Sequence, residues 1–224
     1  EVEAREGVTR REGNLPYGIE SRELRVVPAL ALTVTPGSAV VPLKALRKRV
    51  QVEVDLLNNV EGDIAGELAL NLPKGWTSSP ATQAFKYARA GERSVYRFTV
   101  SIPSLEDKTY EITAVARANG REYTEGYSVI EKRDLETRLL YRPSTITVRG
   151  IDVALPAGLK VGYVMGVGDQ VPAGLAQLGA TVTMLGEKEL SSGDLSQFDT
   201  IMTGTRAYAV RDDLKTYNHR LLDY

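Results

Sequence analysis

Val50-Gln51-Val52-Glu53-Val54-Asp55-Leu56 alternates apolar and polar residues without a break. A helix would scatter these four apolar side chains around its axis, whereas a strand puts them all on one face, so the period of two predicts a strand with one buried and one wet side. The rhythm recurs on both sides. Leu30-Ala31-Leu32-Thr33-Val34 precedes the turn signal Pro36-Gly37, and Asn58-Asn59 marks a turn after the first stretch. Residues 66–72 close at Pro73 and Gly75, residues 84–87 follow, and residues 94–102 stop at Pro103. Residues 110–117 and 122–130 flank Ala118-Asn119-Gly120-Arg121, whose Asn-Gly pair supplies the positive φ of a tight hairpin. About seven short strands in roughly 100 residues, each with one face to bury, predict an immunoglobulin-like antiparallel β-sandwich over residues 28–131.

The flanks read differently. Residues 1–27 are rich in Arg, Glu and Gly without an apolar period, which predicts a lead-in segment with one element near 20–27. After residue 130 the chain is charged to 138, Pro143 breaks any helix, and residues 145–148 are an isolated extended piece, so residues 132–157 read as a linker. Beyond it, Leu159-Lys160-Val161-Gly162-Tyr163-Val164-Met165 reads as a strand. A helix over 170–178 follows, capped by Asp169, with Pro172 in its first turn and Gly179 at its end. Strands at 180–185 and 199–204, joined by a short helical connection at 191–198, complete a βαβ pattern and predict a parallel sheet. Val210, Leu214, Tyr217, Leu221 and Tyr224 fall on one stripe and predict a single helix running to the last residue.

Residues 158–224 therefore read as part of a three-layer α/β unit of flavodoxin type, and the chain as a multidomain β plus α/β protein. Three parallel strands seldom make a stable doubly wound domain, so the sheet is expected to be completed by a C-terminal remainder or a partner. Its open edge would equally let copies of the chain associate as a homo-oligomer. Glu1 to Glu6 contain neither an initiator Met nor an apolar leader, which fits a piece cut from something longer.

Composition excludes several chemistries. With 28 Lys+Arg against 29 Asp+Glu, no net charge steers the 224-residue chain toward nucleic acid or anionic lipid. No apolar run approaches the ~18 to 20 residues a membrane helix needs. The absence of Cys removes disulfides, thiolate nucleophiles and cysteine-based metal sites, and His219 is the only imidazole. Asp212 and Asp213 precede it, but at ~1.5 Å rise per helical residue the seven steps from Asp212 to His219 are too far to share one zinc. Asp223 is nearer, and two ligands are still too few. Lys44, Arg47, Lys48 and Arg49 flank a strand start and read as a solvated rim.

Leu159 to Asp169, with Gln177-Leu178-Gly179-Ala180 and Phe198-Asp199-Thr200-Ile201-Met202-Thr203-Gly204-Thr205-Arg206-Ala207-Tyr208, resembles a region of long bacterial members of the PIG-L deacetylase family. In that family a zinc-dependent de-N-acetylase domain precedes an immunoglobulin-like module of the alpha-galactosidase-associated type and a class I glutamine-amidotransferase-like domain. Leu72-Pro73-Lys74-Gly75-Trp76, the Gly91-Glu92 turn and residues 96–102 are similar to the immunoglobulin-like module. The resemblance spans about residues 28–224. It implies a non-catalytic accessory region serving an enzyme that acts on N-acetylglucosamine-containing substrates outside the cytoplasm. Its partners would be that enzyme's own catalytic domain, where the zinc would reside, and a glycan. The deacetylase's His and paired Asp are absent, and a Cys-free chain cannot supply the amidotransferase nucleophile; no catalytic, cofactor or metal residue is therefore expected in this segment.

Two binding features remain. Gly166-Val167-Gly168 between a strand and a helix is half of a dinucleotide fingerprint whose third position is Val171, leaving a tight turn or a phosphate loop open. In a sheet ordered 2-1-3 the loops after the first and third strands meet at the switch point, bringing Gly166, Gly168 and Asp169 beside Thr205, Arg206 and Tyr208 as a crevice for an anionic or sugar-like ligand. Trp76 is either a core plug or a sugar-stacking platform, the latter the signature of a stand-alone carbohydrate-binding module. A third alternative is a split or degenerate amidotransferase completed by a second chain.

Overall fold

In the computed structural model, which describes residues 9–14, 18–23, 26–45, 48–132 and 137–224, residues 50–56 lie inside a ten-residue strand. Strands β1 (Thr9–Asn14) and β2 (Gly18–Glu23) form an antiparallel hairpin. Then come β3 (Leu30–Thr35), β4 (Ser38–Pro42), β5 (Arg49–Asn58), β6 (Ile64–Asn71), β7 (Thr77–Ser79) and β8 (Thr82–Tyr87). They are followed by β9 (Arg93–Ser101), β10 (Thr109–Ala118), β11 (Arg121–Tyr123), β12 (Glu125–Ile130), β13 (Arg138–Pro143) and β14 (Thr145–Ile151).

One sheet runs β3-β5-β9-β7; the other runs β4-β14-β10-β6-β8, with β11 paired to β10. Every pairing is antiparallel except β4 with β14. The alternation decides which side faces inward: Val50, Val52, Val54 and Leu56 are at most 5% exposed. They meet Leu68, Phe85, Phe98, Ile112, Ile146 and Val148 in one core between the sheets. Each such side chain contributes about 1.5–3 kcal/mol by leaving water. Asn119 (φ 52) and Gly120 (φ 73) both take positive φ, closing the expected hairpin.

Three stretches depart from what the sequence predicts. The 132–157 stretch is not a linker, because β13 and β14 lie within it and β14 is an interior strand with Ile146 and Val148 fully buried. The strand expected over 122–130 breaks at Thr124: β11 stays with β10, and β12 leaves to form a two-stranded ribbon with β13. Buried Ser144 staples the ribbon's return, its Oγ donating to the Ala114 carbonyl at 2.6 Å and its amide to Thr124 at 2.8 Å. The lead-in, finally, contains a hairpin of two strands rather than one element, and residues 24 and 25 of the element expected near 20–27 lie outside the described residues.

The last third holds β15 (Lys160–Val164), α1 (Val171–Leu178), β16 (Thr181–Met184), α2 (Glu187–Ser192), a 3-10 turn at Leu195–Gln197 and β17 (Thr200–Thr203). After these come α3 (Ala207–Val210), α4 (Asp212–Thr216) and α5 (Asn218–Leu222). The sheet order is β16-β15-β17 and both pairings are parallel. Val164, Leu185, Leu190, Leu195, Phe198, Ala207 and Leu214 form a second core. Gly179, at φ 105, ends α1 in the left-handed conformation that Gly adopts without strain.

The single terminal helix does not form. Arg211 (ψ 102) and Tyr217 (ψ 15) interrupt it. The Arg211 guanidinium turns inward to the Met165 and Leu185 carbonyls and pairs with Asp213. Leu214 of the predicted stripe is fully buried, whereas Val210 is 50% exposed.

Candidate functional site

The loops after β15 and β17 meet as the 2-1-3 order requires, and they do so at backbone contact. A Cβ on Gly166 would fall 2.0 Å from the Thr205 carbonyl oxygen, and one on Gly204 would lie 2.9 Å from both the Asp169 carboxylate and the Tyr163 hydroxyl. Only glycine permits this approach. The Val167 amide donates to the Thr205 carbonyl at 3.1 Å, and the Gly204 amide to Val164 at 2.8 Å.

Asp169 holds the corner together. Its carboxylate accepts from the Tyr163 hydroxyl at 2.9 Å, from the Val171 amide at 3.1 Å and, across the loops, from the Thr205 amide at 3.2 Å. Desolvation alone would raise its pKa, but the Thr205 amide, the Tyr163 hydroxyl and the Val171 amide together hold it below the ordinary carboxylate range. Tyr163, 1% exposed, is pushed upward, first by burial, then by its hydrogen bond to Asp169 and by that carboxylate's charge. Tyr163 had no role in the sequence reading, although a tyrosine inside an apolar strand must find an acceptor for its hydroxyl when buried.

This geometry reshapes the phosphate-loop alternative. The Val171 amide is spent on Asp169 and Pro172 has no N–H, so the start of α1 offers few donors to a phosphate. Gly168, at φ 102, serves the turn. Thr205 and Arg206 are exposed on the facing loop, with Arg206 in the left-handed region (φ 56, ψ 25). Tyr208, 46% exposed, donates its hydroxyl to Asn218 at 2.6 Å, a bond within the α3–α5 corner.

Trp76 is not a platform. It is 6% exposed in the sandwich core, its ring centroid 5.0 Å from that of Tyr110. Tyr87 is buried as well, its hydroxyl donating to the Leu56 carbonyl at 3.2 Å. Near His219, Asp212 pairs with Lys215 at 2.8 Å and Asp213 with Arg211, so both carboxylates are engaged by cations. In the basic cluster Lys44 pairs with Asp152 at 2.9 Å and Lys48 donates to the Ala45 carbonyl at 3.1 Å, while Arg47 lies outside the described residues.

Between the two cores, α1 packs along β4. The Val40 amide, on the edge strand of its sheet, donates to Gln177 Oε1 at 2.8 Å. That donor would otherwise point away from any strand.

No protein-family model and no curated protein matches the chain. Among solved structures it is similar to E. coli alpha-2-macroglobulin at 13% identity and a TM-score of 0.37, over 59% of this chain and 7% of that one. The cupredoxin domain of amoB from Nitrosocaldus yellowstonii is similar at 15% identity and a TM-score of 0.31, over 60% of this chain and 94% of that one. The periplasmic chaperone SfaE is similar at 12% identity and a TM-score of 0.28, over 56% and 61%. The chain thus spans a small fraction of the macroglobulin's length, and likenesses this faint assign no function. No helix among the described residues is long and apolar enough to cross a membrane.

Proposed function

We propose that this chain is a non-catalytic accessory region of a PIG-L-type de-N-acetylase acting on N-acetylglucosamine-containing substrates outside the cytoplasm. In this reading an immunoglobulin-like sandwich carries an amidotransferase-like α/β unit in fixed relation to a catalytic domain that lies outside these residues and holds the zinc. The observation that carries it is the tie between Gln177 and the Val40 amide, with α1 laid along the edge of β4. Units joined only by the short stretch between Ile151 and Lys160 would move freely, and a positioning role needs them held. Chemistry is assigned elsewhere because the sequence has no Cys and one His, too few for either the amidotransferase or the deacetylase machinery.

The burial of Trp76 and Tyr87 favours positioning over glycan contact, since a stacking surface needs an open ring face. The chain is expected to hydrolyse no N-acetylglucosamine derivative, with or without added zinc, and to give an empty glycan array. Zinc-dependent turnover would overturn the reading, and so would saturable glycan binding by the folded chain.

A further inference from the structure

Among the described residues only Asn119 and Arg206 adopt positive φ without being glycine. Asn119 sits in an Asn-Gly hairpin, where its short polar side chain tolerates that conformation. Arginine has no such tolerance, and its conformation is fixed by its surroundings: Ala207 donates to Gly204 at 3.1 Å, Ala209 to Arg206 at 2.9 Å, and the Thr205 carbonyl is held by Val167. A glycine at position 206 would satisfy the same backbone with less strain.

The side chain is also uncommitted. The α/β unit has three arginines, and two are spent internally: Arg211 on Met165, Leu185 and Asp213, and Arg220 on the carbonyls of Glu189, Leu190 and Gly193. Arg206 is exposed and makes no hydrogen bond or ion pair with the described residues. Asp169, the carboxylate of the same corner, directs its oxygens at Tyr163, Val171 and Thr205 instead. A free guanidinium on a strained residue thus stands at the carboxyl end of a parallel sheet, where the strand order reverses. Val167 and Val171, 54% and 42% exposed, give the facing loop an apolar shoulder.

We propose that Arg206 binds the carboxylate or phosphate group of a small organic anion at this switch point, the exposed valines meeting its carbon skeleton. The planar guanidinium suits both groups bidentately, and one such contact supports millimolar affinity. The site is independent of the positioning role proposed above.

The test is an amide chemical-shift titration of the intact chain with malonate and, separately, with inorganic phosphate, at constant ionic strength. Saturable shifts are expected at amides 167–169 and 204–207, and the stronger of the two probes identifies the anion class. Arg206→Gly is expected to weaken binding at least about tenfold while raising Tm, because glycine relieves the strain. Arg206→Lys is expected to keep the fold and retain part of the affinity. The proposal is overturned if neither anion gives saturable shifts at these amides, or if the shifts persist in Arg206→Gly.

Discussion

Replacing Ile146 by Ala tests whether β14 belongs to the sandwich. Ile146 is fully buried, pairs with Ile112 across the sheet and stands in the main core. The substitution deletes about three carbons, worth ~0.8 kcal/mol each in transfer, and the cavity left behind raises the loss to about 3–4 kcal/mol. In a solvent-exposed linker the same change would cost less than about 0.5 kcal/mol. Trp76, the single tryptophan, lies in the same core, so its fluorescence during urea unfolding reports on the sandwich. With m near 1–3 kcal/mol/M, the midpoint is expected to fall by about 1–4 M. Thr147, the exposed neighbour on the same strand, supplies the control: Thr147→Ala should shift the midpoint by a few tenths as much at most. If Ile146→Ala unfolds at the wild-type midpoint, or no earlier than Thr147→Ala, the assignment of β14 to the core is wrong.

Two further outcomes are expected. Because the Asp169 carboxyl is held below its usual range in the folded chain, the stability it contributes is full above the unfolded carboxylate pKa of about 4 and is lost as pH falls through the lower folded value. Asp169→Asn should flatten that acid limb in the unfolding of the α/β unit, and an unchanged limb would remove Asp169 from the latch. Gln177→Ala should leave both cores folded but speed hydrogen exchange at the Val40 amide by about tenfold; unchanged protection would mean that the bond does not fix the two units.

The sandwich was legible wherever one strand carried its own alternation, as from Val50 to Leu56, and where punctuation was local, as at Asn119-Gly120. It was less legible where placement depended on a distant partner. Residues 145–151 alternate as cleanly as β5 but follow a charged stretch and Pro143, and nothing local announces that they pair with β10 on one side and β4 on the other. The terminal stripe from Val210 to Tyr224 has helical spacing, yet the inward reach of Arg211 to two carbonyls breaks the helix, an interaction that spacing cannot encode. The juxtaposition of Gly166 and Asp169 with Thr205 and Arg206 followed from strand order alone. Tyr163 as the hidden partner of Asp169 did not, since both of its neighbours in the strand are plain core residues.

The place of β14 in the chain has a consequence for how the molecule comes into being. Strand β4 has only β14 as its neighbour in the sheet, and more than 100 residues separate the two along the sequence. During synthesis the six-stranded sheet therefore waits, with β4 unpaired and one flank of β10 open, until nearly the whole sandwich has been made. The strand that closes it arrives just before the α/β unit begins. A chain stopped at residue 131 would carry most of the apolar residues of that core and still lack the piece that seals it.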